Sequence, residues 1–456
     1  MMRALRRVLL ALALLVAQPL AAEPVELTLD QARIVARQAY AAGEYGVANA
    51  LARRLLEADA QDAQALLILA ATEPALGNPA AGRRAGRAAW AAAGDAPVLR
   101  YEIARHTSVA AFREGRPGLA QFWLRRAADM APTPAHYAQT VADYRRVQAR
   151  NPVRLGFDLA VAPTSNLNGA GQGGVLEIDG QVLDGFYNRS LPPLSGVRAE
   201  AQARLSYRLA ASERGQTTLG AQVYGSLNML SEEARALNLD VSGSEFNQLT
   251  AEGSLTRDFL WPGTRHPVQL GLTAGQNWTG GEVLGPHLRL GGSTSLLSRD
   301  RAEIRLASSV ERQWQDQGPV DTLSLALMGR RLDAAGGEWG AGIYLREVQG
   351  AAVNQDFRDL SGMISYALPR PVGPVALSAR LTAGLRDYDI YRLGFVQVTD
   401  GRHDQRLGLS LDMTFHQVSL WGHSPKASIS GTQTLSNVSW FESRQMGLSL
   451  GFESRF

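Results

Sequence analysis

Gly447-Leu448-Ser449-Leu450-Gly451 spells G-x-S-x-G, the pattern in which serine hydrolases hold a nucleophile on a strained strand-to-helix elbow. Gly169-Ala170-Gly171-Gln172-Gly173-Gly174 spells G-x-G-x-x-G, a phosphate cradle where a helix N-terminus follows. Neither stands in the context its chemistry needs. The first lies inside an alternating segment, where Gly and Ser fill a polar strand face, and Val175-Leu176-Glu177-Ile178-Asp179 after the second is not a helix start. The seven histidines are scattered, with no pair at metal-ligand spacing on a helix, although His416 and His423 could approach one another. Asp387, Asp389, Asp400 and Asp404 gather near the ends of two segments. They could do acid–base work, but such a cluster is more simply a solvated or ion-binding loop. No catalytic residue, metal site or cofactor is expected.

Composition narrows the classes further. The chain has 456 residues, a net charge of +3 and no cysteine. Disulfides, thiolate metal sites and a cysteine nucleophile are therefore excluded, as is an N-terminal lipid on a cysteine of this chain. The charge argues for no nucleic-acid partner. Arginine supplies nearly all the positive charge, since Lys426 is the one lysine.

The elements that would position these residues fall into three stretches. Residues 1–22 read as an export signal: Arg3, Arg6 and Arg7, then an apolar run from Val8 to Ala17 too short to span a bilayer, then Ala21-Ala22 for cleavage. Residues 23–150 read as helical, with apolar residues at three and four spacing. Within them Gly43, Gly77 and Gly115 stand 34 and then 38 residues apart. Each is followed at +5 by a small residue, Ala48, Gly82 or Ala120, and the third by Pro132 at +17. These offsets are those of a tetratricopeptide-like repeat, in which the small residue lets paired helices cross closely and the proline ends the second helix.

From residue 151 the period changes to two. Leu407, Leu409, Leu411, Met413 and Phe415 interleave with Gly408, Ser410, Asp412, Thr414 and His416, giving one oily and one polar strand face. About fourteen such segments follow, starting near 153, 198, 216, 244, 266, 285, 301, 320, 337, 357, 373, 403, 424 and 443. Many run ten residues or more, longer than the ~5–6 usual in soluble sheets. Trp261, Trp278, Trp314, Trp339, Trp421 and Trp440 fall near segment ends, as in the aromatic girdle of a membrane barrel. The chain ends on Phe456, which resembles the terminal aromatic read by the bacterial barrel-assembly machinery. The fold class expected is therefore α+β multidomain: tetratricopeptide-like helical repeats, then a ~14-stranded antiparallel transmembrane β-barrel over 151–456. The helical domain is placed in the periplasm and the barrel in the outer membrane. Long connections at about 163–197, 229–243 and 387–402 then face the exterior. The first, with Leu183, Phe186 and Tyr187, reads as a plug or an outer gate.

Three stretches carry a resemblance: Val161-Ala162-Pro163-Thr164-Ser165-Asn166-Leu167-Asn168, Ser424-Pro425-Lys426, and Leu435-Ser436-Asn437-Val438 running on to Arg455-Phe456. With the repeats in front, the chain resembles the surface lipoprotein assembly modulator (Slam) family. The matching motif residues at the end of the first strand are Pro163, Ser165, Asn166 and Asn168, with Thr164 in place of the family's serine. The resemblance implies a translocon, not an enzyme, that moves surface lipoproteins or related secreted proteins from periplasm to exterior. Its implied partners are the client, the barrel-assembly machinery, a periplasmic chaperone and outer-membrane lipid. A polysaccharide export pore, a general porin and a barrel enzyme remain as alternatives.

Overall fold

The computed structural model describes residues 27–454 except 172–173, 188–191, 238–239, 264–265 and 419–421. The expected export signal, Trp421 and Phe456 lie outside the described residues, as do the side chains of Phe186 and Tyr187. The chain divides into two compact units, Met1–Trp123 with Met130–Pro132 and Leu124–Asp129 with Thr133–Phe456.

Seven helices precede the first strand among the described residues: α1 (Leu29–Ala41), α2 (Tyr45–Ala58), α3 (Ala63–Thr72), α4 (Pro79–Ala92), α5 (Pro97–Arg113), α6 (Pro117–Asp129) and α7 (Pro134–Arg150). Their starts are written locally. Thr28 and Gln31 make a reciprocal capping box on α1, and Asp62 accepts the amides of Gln64 and Ala65 on α3. Helices α4 to α7 each open on proline, whose missing N–H is one that a first turn leaves unpaired anyway. Gly43, Gly77 and Gly115 take φ of +83°, +88° and +79° between α1–α2, α3–α4 and α5–α6, a backbone region open chiefly to glycine.

The residues five positions on sit where the paired helices touch. Ala48 and Ala120 are wholly buried, and a Cβ on Gly82 would stand 2.7 Å from the Pro74 ring. Ala36, Ala52, Leu55, Ile68 and Leu69 close the first core around Ala48. Asn49 is buried among them with its needs met, donating to Thr72 Oγ1 and Glu73 Oε1, each at 3.0 Å.

The remaining sheet is a closed antiparallel barrel of 14 strands. Its strands are β1 (Val153–Thr164), β4 (Gly196–Ser212), β5 (Gly215–Leu230), β6 (Gln248–Leu260), β7 (Pro267–Thr279), β8 (Glu282–Arg299), β9 (Ala302–Gln315), β10 (Gly318–Leu332), β11 (Glu338–Gly350), β12 (Phe357–Ala367), β13 (Val375–Tyr388), β16 (Arg402–Phe415), β17 (His423–Ser436) and β18 (Ser443–Ser454). Each pairs with its neighbours in chain order, and β18 returns to β1 at Ala160↔Gly451, Val161↔Leu450 and Thr164↔Gly447. The expected segment starts fall within four residues of these.

Alternation sorts the side chains. Leu155, Phe157, Leu407, Leu409 and Met446 point outward and are exposed, while Arg154, Asp158, Arg406 and Ser449 share the inward face. A soluble barrel would place that oil inside; a spanning barrel turns it to lipid. The fold is thus a helical-repeat domain followed by a transmembrane β-barrel.

Connections differ between the two barrel ends. One end carries tight turns such as 213–214 and 300–301. The other carries the small elements that the alternation pattern did not reveal: hairpin β2 (Val175–Ile178) with β3 (Gln181–Tyr187), hairpin β14 (Tyr391–Leu393) with β15 (Val396–Val398), the short helix α8 (Glu232–Ala236), and 3₁₀ turns at Gly243–Phe246 and Ser439–Phe441.

Candidate functional site

The capped end and the polar lumen beneath it hold the residues with functional geometry. Hairpin β2–β3 turns through Asp179 and Gly180, at φ +52° and +78°, the pair of left-handed residues a two-residue hairpin requires. It does not hang free. Ile178 bridges Val438, Asp179 N donates to Asn437 O at 2.9 Å, and Glu177 N donates to Ser439 Oγ at 3.0 Å. Trp440 Nε1 donates to Gly174 O at 3.1 Å. Trp440 therefore belongs to the cap, not to the lipid girdle expected of it, because its indole N–H has a fixed partner there. Gly171 explains part of the G-x-G-x-x-G run: its Cβ would collide with Trp440 O, so the spacing serves a close backbone approach and a strand follows it.

Below these bonds lies an apolar cluster of Leu176, Tyr388, Tyr391, Val398 and Val438, each less than a tenth exposed. It joins β2, the ends of β13 and β17, and hairpin β14–β15. Arg402 anchors it. The guanidinium lies 3.4 Å from the Phe441 ring centre, 5.0 Å from those of Tyr388 and Tyr391, and makes a bidentate pair with buried Asp404 at 2.9 and 2.6 Å. Asn437 ties three segments at once: its side chain donates to Asp179 Oδ1 and Gly401 O and accepts from His403 N at 2.7 Å.

The motif residues at the end of β1 fasten the other root of the long connection. Asn166, 4% exposed, clips its own turn by donating to Ala170 O at 2.7 Å and accepting from Ala170 N at 3.0 Å. Asn168 does the same across the connection, donating to Pro192 O and accepting from Leu194 N. Between them Leu167 N donates to Leu194 O at 2.7 Å. Pro163 and Ser165 are exposed and line an open hollow at the rim with Ser195, Met229 and Met446.

The four aspartates do not converge. Asp404 faces the lumen and is held by Arg402. Asp387, one residue away from it in register terms across β13 and β16, faces outward and meets His403 Nδ1 at 2.8 Å. The other ring nitrogen, Nε2, lies 2.9 Å from the Asp400 carbonyl, so both nitrogens are engaged and neither addresses a hydroxyl. Asp389 lies 3.9 Å from Arg358. Ser449 sits within β18 opposite Ser428, in a straight strand without an elbow. No contact joins His416 and His423 among the described residues.

The lumen is ionic. Arg289 bridges Glu252 at 2.8 Å and Glu311 at 2.6 Å, and Glu252 also meets the buried His287 at 3.0 Å. Arg204 pairs with Asp158 across β4 and β1, and Arg386 with Asp359 across β13 and β12. Alternation alone implied an inward polar face. Which arginine meets which acid depends on register between strands, which the sequence does not state.

No protein-family model and no curated protein sequence matches this chain. Among solved structures, the type III secretion translocator chaperone SycD of Yersinia enterocolitica is similar at 18% identity, over 27% of this chain and 88% of that one, with a TM-score of 0.24. A loop-deletion mutant of the outer-membrane protein OmpT of Vibrio cholerae is similar at 7% identity, over 66% of this chain and 99% of that one, with a TM-score of 0.35. The anion-selective porin of Comamonas acidovorans is similar at 11% identity, over 66% and 98%, with a TM-score of 0.30.

Proposed function

We propose that this chain is an outer-membrane translocon that carries protein clients, lipid-modified or secreted, from the periplasm to the cell exterior, in the manner of the Slam family its motifs resemble. One observation carries the reading. A barrel of 14 strands, wider than side chains alone fill, ends in a folded cap instead of loose loops, and one chain joins it to helical repeats. A general porin gains nothing from the repeats. A conduit for folded or extended polypeptide gains a receiving surface from the repeats and a closable mouth from the cap.

The even strand count puts both barrel ends of the chain at the turn end. With the repeats in the periplasm, that end faces inward and the capped end faces out. No step is catalytic on this reading. His403 at the rim is set against a carboxylate, and its second nitrogen is spent on a carbonyl. The energy for movement comes from client binding, a periplasmic chaperone, or folding of the client outside.

The test compares surface and culture-fluid proteins, by mass spectrometry, from cells with and without the chain. One or a few proteins should leave the surface and collect in the periplasm when the chain is missing. An unchanged surface set with slower uptake of small solutes would make it a porin instead.

A further inference from the structure

The lumen wall made by β12, β13 and β16 contains a cavity of about 340 Å³ whose charges do not balance. Its two acids are already taken. Asp359 Oδ2 accepts from Arg386 Nε at 3.0 Å and Nη2 at 2.8 Å, and Asp404 is gripped by Arg402 through both oxygens. Arg380 and Arg406 line the same cavity, and among the described residues neither has an ion pair or a side-chain hydrogen bond.

The strand register shows what lies between them. Arg380 stands opposite Ser410, and Arg406 opposite Gly384. The inward positions separating the two arginines are Thr382 and Gly384 on β13 and Gly408 and Ser410 on β16, with Ser361 beside them on β12. Glycine and small side chains leave room between the two guanidinium groups; the Thr382 hydroxyl is donated to Gly408 O at 3.4 Å, and Ser361 offers its O–H to the cavity. Two like charges facing one cavity repel one another, and a shared counter-charge removes that cost. The guanidinium fork matches the two oxygens of a carboxylate or phosphate.

We propose that Arg380 and Arg406, with Ser361 beside them, form an oxyanion-binding site on the lumen wall. Its ligand is a phosphate or carboxylate group, borne either by a free anion or by acidic side chains of a polypeptide inside the barrel. The site stands on its own geometry and does not require that clients be exported.

The experiment is calorimetric titration of the purified full chain in neutral detergent at low salt, with inorganic phosphate in one arm and a hexaglutamate peptide in the other. Saturable binding of at least one probe is expected, weakened about tenfold or more in Arg380→Gln/Arg406→Gln. Tighter binding of phosphate assigns a free anion; tighter binding of hexaglutamate assigns polypeptide. Arg305→Gln, on β9 away from this cavity, should bind as the parent does. The Arg380→Lys/Arg406→Lys pair keeps the charge without the fork. It should bind between the two, and it serves as the test if the glutamine pair fails to fold by its β-sheet circular dichroism. Failure of the parent to bind either probe overturns the site. So does parent-like binding by the glutamine pair or an equal loss in Arg305→Gln; with the glutamine pair unfolded, a lysine pair that binds as the parent does overturns it. Export measured on the same variants is a separate readout, so loss of binding with intact export would leave the translocon reading standing.

Discussion

At the scale of single residues, the helical domain keeps its tightest tolerances where chains cross. Gly86 on α4 meets α5 so closely that a Cβ there would overlap Thr107 Oγ1, and Thr107 is wholly buried with its hydroxyl donated to Ile103 O at 2.6 Å. Gly86→Ala gains helix propensity but must push the helices apart. The expected net cost is about 1–3 kcal/mol, read as a lower melting point of the helical circular dichroism signal. His106 gives a second test. Burial, with Arg105 beside it, holds its pKa down to about 4 from 6.5. Between those values the unfolded chain binds the proton and the folded chain does not. Stability is therefore full above 6.5 and falls as the pH drops toward 4, by at most roughly 3 kcal/mol. Glu114, held below the usual carboxylate range by its hydrogen bond with Arg83, adds a loss of the same sign at still lower pH. The helical melting point should fall across this window, and His106→Phe should flatten the upper part of the curve. A parent protein equally stable at both ends would refute the assignment.

At the scale of elements, the cap is built from short pieces that could not stand alone. A two-stranded hairpin is marginal in water, yet β2–β3 is held by Val438, Asn437, Ser439 and Trp440, and β14–β15 by Tyr388 and Phe441. Replacing residues 174–187 with a short Gly/Ser linker should leave the barrel's sheet signal intact and raise small-solute permeability in a liposome-swelling assay. Unchanged permeability would mean that the hairpin is not the barrier. Asn437→Ala removes bonds to three segments and leaves the carbonyl of buried Gly401 and the His403 N–H without this partner. A smaller rise in permeability is expected, with local protease cleavage in the connections it ties.

At the scale of the whole molecule, an apolar outer wall around an ionic lumen requires detergent or lipid for solubility. Deletion of 28–150 should leave the barrel's sheet signal in place, and the proposed translocon role then requires that client export stop. Export unchanged by the deletion would remove the repeats from the transport pathway, though not the barrel. The sequence alone determined the larger plan, because both of its signals are periodic and local. Period-two alternation such as Leu407 to Phe415 gives a strand two unlike faces, and glycines recurring near a 34-residue period with small residues after them mark closely crossing helix pairs. The cap and the lumen charges escaped it. Leu176 meets Val438, and Arg402 meets Phe441, only after the barrel has closed and brought distant connections to one rim. Whether an inward arginine is neutralised, as Arg386 is, or left over, as Arg380 is, depends on strand register, a property of pairs of strands that no single segment encodes.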